Sequence, residues 1–425
     1  MSLLPFATLP DPEIEAEGSI DPLGVASMAE RLADLMLPGL TARMSKPRFL
    51  TALAVGAVVI HGLERDSRRT EPYIAFEWGL VTALAASETK ATGVPGINKA
   101  RQALREGAPM SASRYLEVPK VFGFHGIYRK LAVELDLIDR DGNVKSAGER
   151  LVEAWQHAVD LPGFLEDRVG TSGGDLRRKL RAMVDASVEA NQLERLTTPL
   201  REVLVDKLHP GKPSDAEKVR LRALLDGSEG SLRAEVFGLH AKPELPQPSD
   251  VGERTFFEKA RPKMSAELRA IVDAFMAIED VARPMMNCFD AARWLSTEQP
   301  LVPVTGTRLR DRFPELRADL AAYAARAVLA CPQPEVSGQI CHLESQLAEA
   351  RDIPSAFDAT LVRHLKTQAE KGPNGRRPWF ERLREGYVVR SRYRIKEVDP
   401  SGEQFVNQYR SHAVRSFLSD LGGRA

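Results

Sequence analysis

Four stretches of the chain bring together residue types that catalysis uses. Gly170–Gly174, "GTSGG", fits the G-x-S-x-G pattern, in which a serine nucleophile is held on a strained turn at the end of a buried strand. The preceding "LPGFLEDRV" lacks the apolar run of such a strand, so the expectation is a loop that caps a helix starting at Asp175. "HPGKPSD" contains Gly211 and Lys212 but has no upstream glycine, and Pro213 stands where the helix of a phosphate loop would begin. His364 and Lys366 open like the H-x-K of phospholipase-type nucleases, yet Lys371 occupies the place of the required aspartate. Cys331, Cys341 and His342 have neither the spacing nor the fourth ligand of a zinc site. No catalytic residue, cofactor site or metal site is therefore assigned, and a metal-dependent nuclease assembled only on folding stays open as an alternative.

Phosphate recognition is better represented. Residues 121–155 read "VFGFHGIYRKLAVELDLIDRDGNVKSAGERLVEAW". Ile127, Leu131 and Leu135 repeat at helical spacing, widened by Tyr128, Ala132 and Val133, which leaves His125, Arg129 and Lys130 for solvent or phosphate. "RDGN" carries the Asp-Gly pair of a tight hairpin, and "SAGERLVEAW" reads as a closing helix. With "GINKARQALREG" as supporting helix, residues 94–155 are expected to be winged-helix-like. The same pattern suits a DNA reader and a packing module whose polar face is covered by protein. Acidic Glu134, Asp136, Asp139 and Asp141 lie close by.

The C-terminal region is more basic. From Arg363 to Arg415 there are 13 Lys and Arg against 6 Asp and Glu, and Trp379, Phe380, Tyr387, Tyr393, Phe405 and Tyr409 interleave with them. Guanidinium groups beside aromatic rings suit single-stranded or branched DNA, so Arg363, His364, Lys366, Lys371, Arg376, Arg377, Arg390, Arg392 and Arg394 join the candidate DNA-binding set. A small subdomain with an aromatic core and a solvated rim would have the same composition. A third basic cluster is Arg65, Arg68 and Arg69.

These residues must be held by helices. The chain has 425 residues, with 43% hydrophobic and 28% charged, enough to bury substantial cores. Lys plus Arg equal Asp plus Glu at 59 each, so any basic surface is local. Three cysteines suit a reducing compartment, and the acidic, proline-rich start carries no leader pattern; the expected setting is cytoplasmic, without a membrane. The most apolar run, "FLTALAVGAVVI", is too short to span a bilayer and reads as a buried helix. A first helix is expected to start at Asp21–Pro22 and stop at Pro38–Gly39. "EPYIAFEWGLVTALAAS" gives another, started by Pro72. "AKPELPQPSDVGE", 241–253, reads as a linker, and "EGYVVRSRYRIKEV" as a hairpin. The expected fold is mainly α and multi-domain, with a winged-helix-like segment and a small C-terminal β-hairpin. Its blocks are 1–158, N-terminal and helical, 159–240, a helical middle region, and 254–425, helical with the basic aromatic hairpin.

"DPLGVASMAERLADLMLPGLTARMSKPRFL", "FDAARWLS", "LVRHLKTQAEKG" followed by "RPWFE", and "GYVVRSRYRI" resemble a poorly characterised bacterial family encoded near antiviral-defence and restriction genes. The matching positions are Leu23, Gly24, Pro38, Gly39, Arg48, Arg363, His364, Lys371, Trp379 and Arg392. The resemblance implies a structural role for Leu23, Gly24, Pro38 and Gly39. It implies a phosphate-binding face from Arg48, Arg363, His364, Lys371 and Arg392. The expected function is a non-enzymatic DNA-binding recognition or adaptor subunit of a defence or restriction complex, with DNA and the other subunits as partners. The alternative is a protein–protein assembly subunit of such a complex.

Overall fold

The computed structural model describes residues 21–63, 70–88, 91–193, 196–228, 230–300, 302–331, 333–372, 375–383 and 385–422. Proline marks many helix starts: Pro72, Pro119, Pro199, Pro248, Pro334 and Pro354 each sit in a first turn, where a missing N–H costs nothing. In chain order the helices are α1 (Ala26–Met36), α2 (Phe49–Ile60), α3 (Pro72–Ala86), α4 (Ile97–Arg105), α5 (Pro119–Phe122), α6 (Phe124–Glu134), α7 (Ser146–Ala158), α8 (Ser172–Ala190) and α9 (Thr198–Leu208). There follow α10 (Asp215–Asp226), α11 (Leu232–Ala241), α12 (Pro248–Ala260), α13 (Ala266–Glu298), α14 (Gly306–Arg312), α15 (Leu320–Ala330), α16 (Pro334–Leu347) and α17 (Ile353–Ala369). Strands β1 (Phe380–Leu383) and β2 (Gly386–Val389) and helix α18 (Ser411–Asp420) complete the described residues. The protein is mainly α with one small antiparallel hairpin near its C-terminus.

Helices α2 and α3 are apolar on all sides, and both are buried almost throughout. They form the centre of the first half, with α6 and α7 on α2, α4 on α3, and α8 and α9 against α3. The 33-residue α13 plays that part in the second half, packed by α15, α17 and α1. Contacts cross the block limits drawn at 158 and 241–253. Helix α7 packs on α10, α1 on α13 and α16, and α18 on α11 and α12. Lys46 pairs with Asp420 at 2.9 Å, and Arg410 pairs with Glu30. Among the described residues no helix is long and apolar enough to cross a membrane.

Three local expectations shift. The Asp21 carboxylate accepts the amides of Leu23, Gly24 and Ala26, but the helix begins only at Ala26, with Val25 at its N-cap. The linker stretch 241–253 turns helical at Pro248, because that proline and Ser249 open α12, which kinks at Gly252. The hairpin pairs "FERL" with "GYVV", Phe380 opposite Val389 and Leu383 opposite Gly386. "RSRY" instead makes a 3-10 turn, closed by the Tyr393 amide donating to the Arg390 carbonyl at 2.9 Å, with Arg394 Nε donating to the Val389 carbonyl at 3.0 Å. A third segment joins the hairpin at Val304, which exchanges both backbone hydrogen bonds with Tyr387 at 2.7 and 3.0 Å.

Candidate nucleic-acid interface

Residues 124–158 fold as helix, short hairpin, helix. Tyr128, Leu131, Ala132 and Leu135 of α6 are buried. The chain reverses at Asp139–Asn143, where the Asp139 carboxylate accepts the amides of Asp141 and Asn143, and one bridge joins Ile138 to Val144. The polar face of α6 is largely engaged. The His125 ring stacks on Tyr73, with centroids 3.9 Å apart. Arg129 donates to the Arg140 carbonyl, and Lys130 pairs with Asp34 at 2.7 Å. Tyr128 accepts the amides of Ser45 and Lys46 through its hydroxyl, at 3.0 and 2.9 Å.

Several C-terminal basic residues bond within the protein, while Lys366, Arg382, Arg392 and Lys396 are exposed. Arg363 Nε and Nη2 donate to the carbonyls of Leu23 and Gly24, at 2.6 and 3.1 Å, and Nη1 to Gln346. His364 is fully buried: Nδ1 lies 2.9 Å from the Pro22 carbonyl, and Nε2 accepts the Trp379 amide at 3.0 Å. Lys371 donates to the Asp21 carbonyl. These three side chains of α17 and the turn after it strap residues 21–24 to the second half of the protein. Arg48 is 2% exposed and bonded to Glu217. Lys366 meets His342 Nε2 at 2.8 Å and Arg377 pairs with Glu381. Arg390 lies over the Tyr393 ring and donates to the Pro378 carbonyl at 3.3 Å. Arg392 lies 5.4 Å from the centre of the same ring, and Arg376 is half-buried, its amide bonded to the Gln368 carbonyl. Trp379 stacks flat on Tyr393, centroids 4.4 Å apart, with Arg293 on Trp379, so the aromatic surface is consumed internally.

Burial holds the His364 imidazole down to about 4, although the Pro22 carbonyl favours its charged form. A histidine depressed in the folded state stabilises fully above its ordinary value near 6.5, and that stability is lost as pH falls through about 4. His240, also pushed down to about 4 by burial, acts in the same direction. Urea midpoints should therefore fall between pH 7 and pH 4.5, and H364Q should flatten that fall by up to about 3 kcal/mol. An equal slope in the variant would refute the assignment.

The catalytic look-alikes find no site. Helix α8 begins at Ser172, with Thr171 as its cap accepting the Gly174 amide at 3.2 Å. A Cβ at Gly173 would stand 2.2 Å from the Leu161 carbonyl oxygen, and one at Gly174 2.1 Å from that of Arg168. The glycines of "GTSGG" thus serve close backbone packing. Cys331 is buried and Cys341 exposed. Among the described residues no group of three or more His, Cys, Asp and Glu side chains is placed to hold a metal ion. Arg65, Arg68 and Arg69 lie outside the described residues.

One exposed basic surface was not singled out from sequence. Helix α4 buries Ile97, Ala100 and Ala103 against α3 and turns Lys99 and Arg105 outward, with Arg101 half-exposed. Arg114 and Lys120 extend it through the following loop and α5; the span 97–121 holds five Lys and Arg against Glu106 and Glu117. Lys120 pairs with Glu71, whereas Lys99, Arg105 and Arg114 make no side-chain hydrogen bond or ion pair among the described residues. The three-residue apolar period of "GINKARQALREG" was the available signal. No family model, curated protein or solved structure matches the chain.

Proposed function

We propose that this protein is a non-enzymatic DNA-binding subunit that grips the phosphate backbone through α4 and the loop to α5. The observation that carries the reading is the contrast between two basic regions. In the richer one, from Arg363 to Arg394, Arg363, Arg390 and Arg394 spend donors on internal carbonyls, while Arg382 and Arg392 stay exposed. Lys99, Arg105 and Arg114 stay exposed and without ionic partners among the described residues. Exposed cations release counterions from DNA; cations already bound within the protein contribute little. The resemblance supplies the setting, a recognition or adaptor subunit of a bacterial defence or restriction complex.

Anisotropy titrations with duplex, single-stranded and branched DNA across a salt series test this. Replacing Lys99, Arg105 and Arg114 together by alanine should weaken binding about tenfold or more, and lower the slope of log K against log salt by about 2 to 3. R392A should leave that slope unchanged. Binding to none of these DNAs, or binding insensitive to salt, overturns the reading. A second reading has its own observation: the same span exposes Leu104, Val118 and Val121, apolar surface that a phosphate backbone does not use. An assembly subunit would bury these residues against a partner protein and co-purify with it.

A further inference from the structure

One carboxylate joins the parts of the surface just described. Glu77 is the only charged residue of α3 and is 1% exposed. Its Oε1 accepts the Tyr115 hydroxyl at 2.5 Å and the Phe124 amide at 3.1 Å, and its Oε2 accepts the His125 amide at 2.9 Å. Phe124 and His125 are the first two residues of α6, where free amides favour a negative charge. Gly123 leaves the space for this approach, since a Cβ there would stand 2.1 Å from Glu77 Oε1. Tyr115 carries the connection to α4: its ring fills the space beside Gly96, the residue that caps α4, where a Cβ would meet it at 2.4 Å. Arg114 is the neighbour of Tyr115, so α4, the basic loop and α6 are all referred to one buried side chain.

We infer that Glu77 is a positioning residue whose proton switches the α4–α6 surface between a loosely and a tightly held arrangement. The inference rests on the phosphate-binding reading for its functional consequence but not for the switch. Two amides and a phenol donate to the carboxylate, but burial outweighs them, so the closed arrangement holds the neutral acid more tightly than the ionised form. Burial opposes ionisation and raises Glu77 to about 7, partly offset by Tyr115 and the two amides. No charged side chain adds to the shift by proximity. The facing groups are Tyr115 and, on α6, His125, whose ring rests on Tyr73. Tyr73 is itself raised by burial and Glu71 and lowered by Arg129. Helix α2 presents no titratable side chain.

Hydrogen exchange across residues 96–125, corrected for intrinsic pH dependence and followed from pH 5.5 to 8.5, tests the switch without any ligand. Protection should fall in the wild type as pH rises through about 7, and E77Q should abolish the transition. Y115F, which keeps the carboxylate but removes one donor, should move the midpoint to higher pH; a merely structural Glu77 would leave it in place. A transition retained in E77Q, or a midpoint unmoved in Y115F, overturns the inference, and Y115F decides if E77Q does not fold. In DNA titrations, wild-type affinity should fall as pH rises through about 7, and Y115F should show that fall at higher pH. If the wild type binds no DNA, the phosphate-binding reading fails while the exchange result still decides the switch.

Discussion

Replacing Arg48 by methionine should destabilise the protein by about 3–5 kcal/mol, because it strands a buried charge. Arg48 caps α2 and is 2% exposed, while Glu217, in the first turn of α10, is fully buried. Arg48 Nε and Nη2 each meet a Glu217 oxygen at 2.9 Å, a two-pronged geometry that lysine cannot reproduce. The remaining donors reach the carbonyls of His209 at 2.7 Å and Lys207 at 3.0 Å, which fastens the end of α9 to the same point. Glu217 in turn accepts the Ser214 amide at 3.0 Å and closes the cap of α10. Removing the guanidinium leaves a buried carboxylate with one cap bond, while the Lys207 and His209 carbonyls keep only the Trp155 indole N–H at 2.8 Å and the Lys212 amide at 3.1 Å. The double variant R48M/E217Q should recover part of the loss, with a coupling of about 1–3 kcal/mol in a double-mutant cycle. Urea unfolding of the four proteins measures it. A single-variant loss below about 1 kcal/mol would show that the pair is dispensable.

Glu279→Ala should cost a similar amount, about 3–5 kcal/mol, and should release the segment before α18. Glu279 lies in the middle of α13 and is fully buried. It accepts the amides of Val406 and Asn407 at 2.6 and 3.2 Å, the Asn407 side-chain amide at 2.7 Å and the Tyr409 hydroxyl at 2.9 Å. Each buried donor left without an acceptor costs about 1–3 kcal/mol, reduced where water can enter. Glu253 holds the next stretch through the amides of Tyr409 and Ser411, so α18 should stay docked while residues 402–408 loosen. Limited proteolysis should then cut within 400–408 before global unfolding; protection equal to the wild type would disprove the anchoring role. Burial raises the Glu279 carboxyl against the pull of these donors. A raised carboxyl stabilises most when protonated, so its contribution is lost as pH rises above the ordinary carboxylate range. E279Q should remove that part of the pH dependence.

Much of the helical framework was legible before any coordinates. Pro72 and the apolar runs of α2 and α3 announce buried helices, because a helix without a polar face cannot meet water. The burial of Tyr128, Leu131, Ala132 and Leu135 follows from their spacing along α6. The lone Glu77 within the apolar α3 was a readable signal of a buried polar hub, since a carboxylate in such surroundings must find donors. The small C-terminal hairpin was placed in the right region, although its first strand, "FERL", lies upstream of the stretch expected to form it. β-Branched residues in "GYVVRSRYRI" mark extended chain, while the choice of "FERL" as partner depends on what the turn and Val304 allow.

The fate of the charges was decided only in three dimensions. Arg363 lies 340 positions from the Leu23 carbonyl it grips, Lys371 is 350 from Asp21, and Arg48 is 169 from Glu217. Composition counts these side chains as cations available to a ligand, because local spacing carries no information about partners so far along the chain. Helix type, helix starts and apolar faces are set by interactions within a few residues, and the sequence by itself determined them. Which cations reach solvent, and that the two ends of the chain meet across α17, depend on long-range packing; only the tertiary structure decided them.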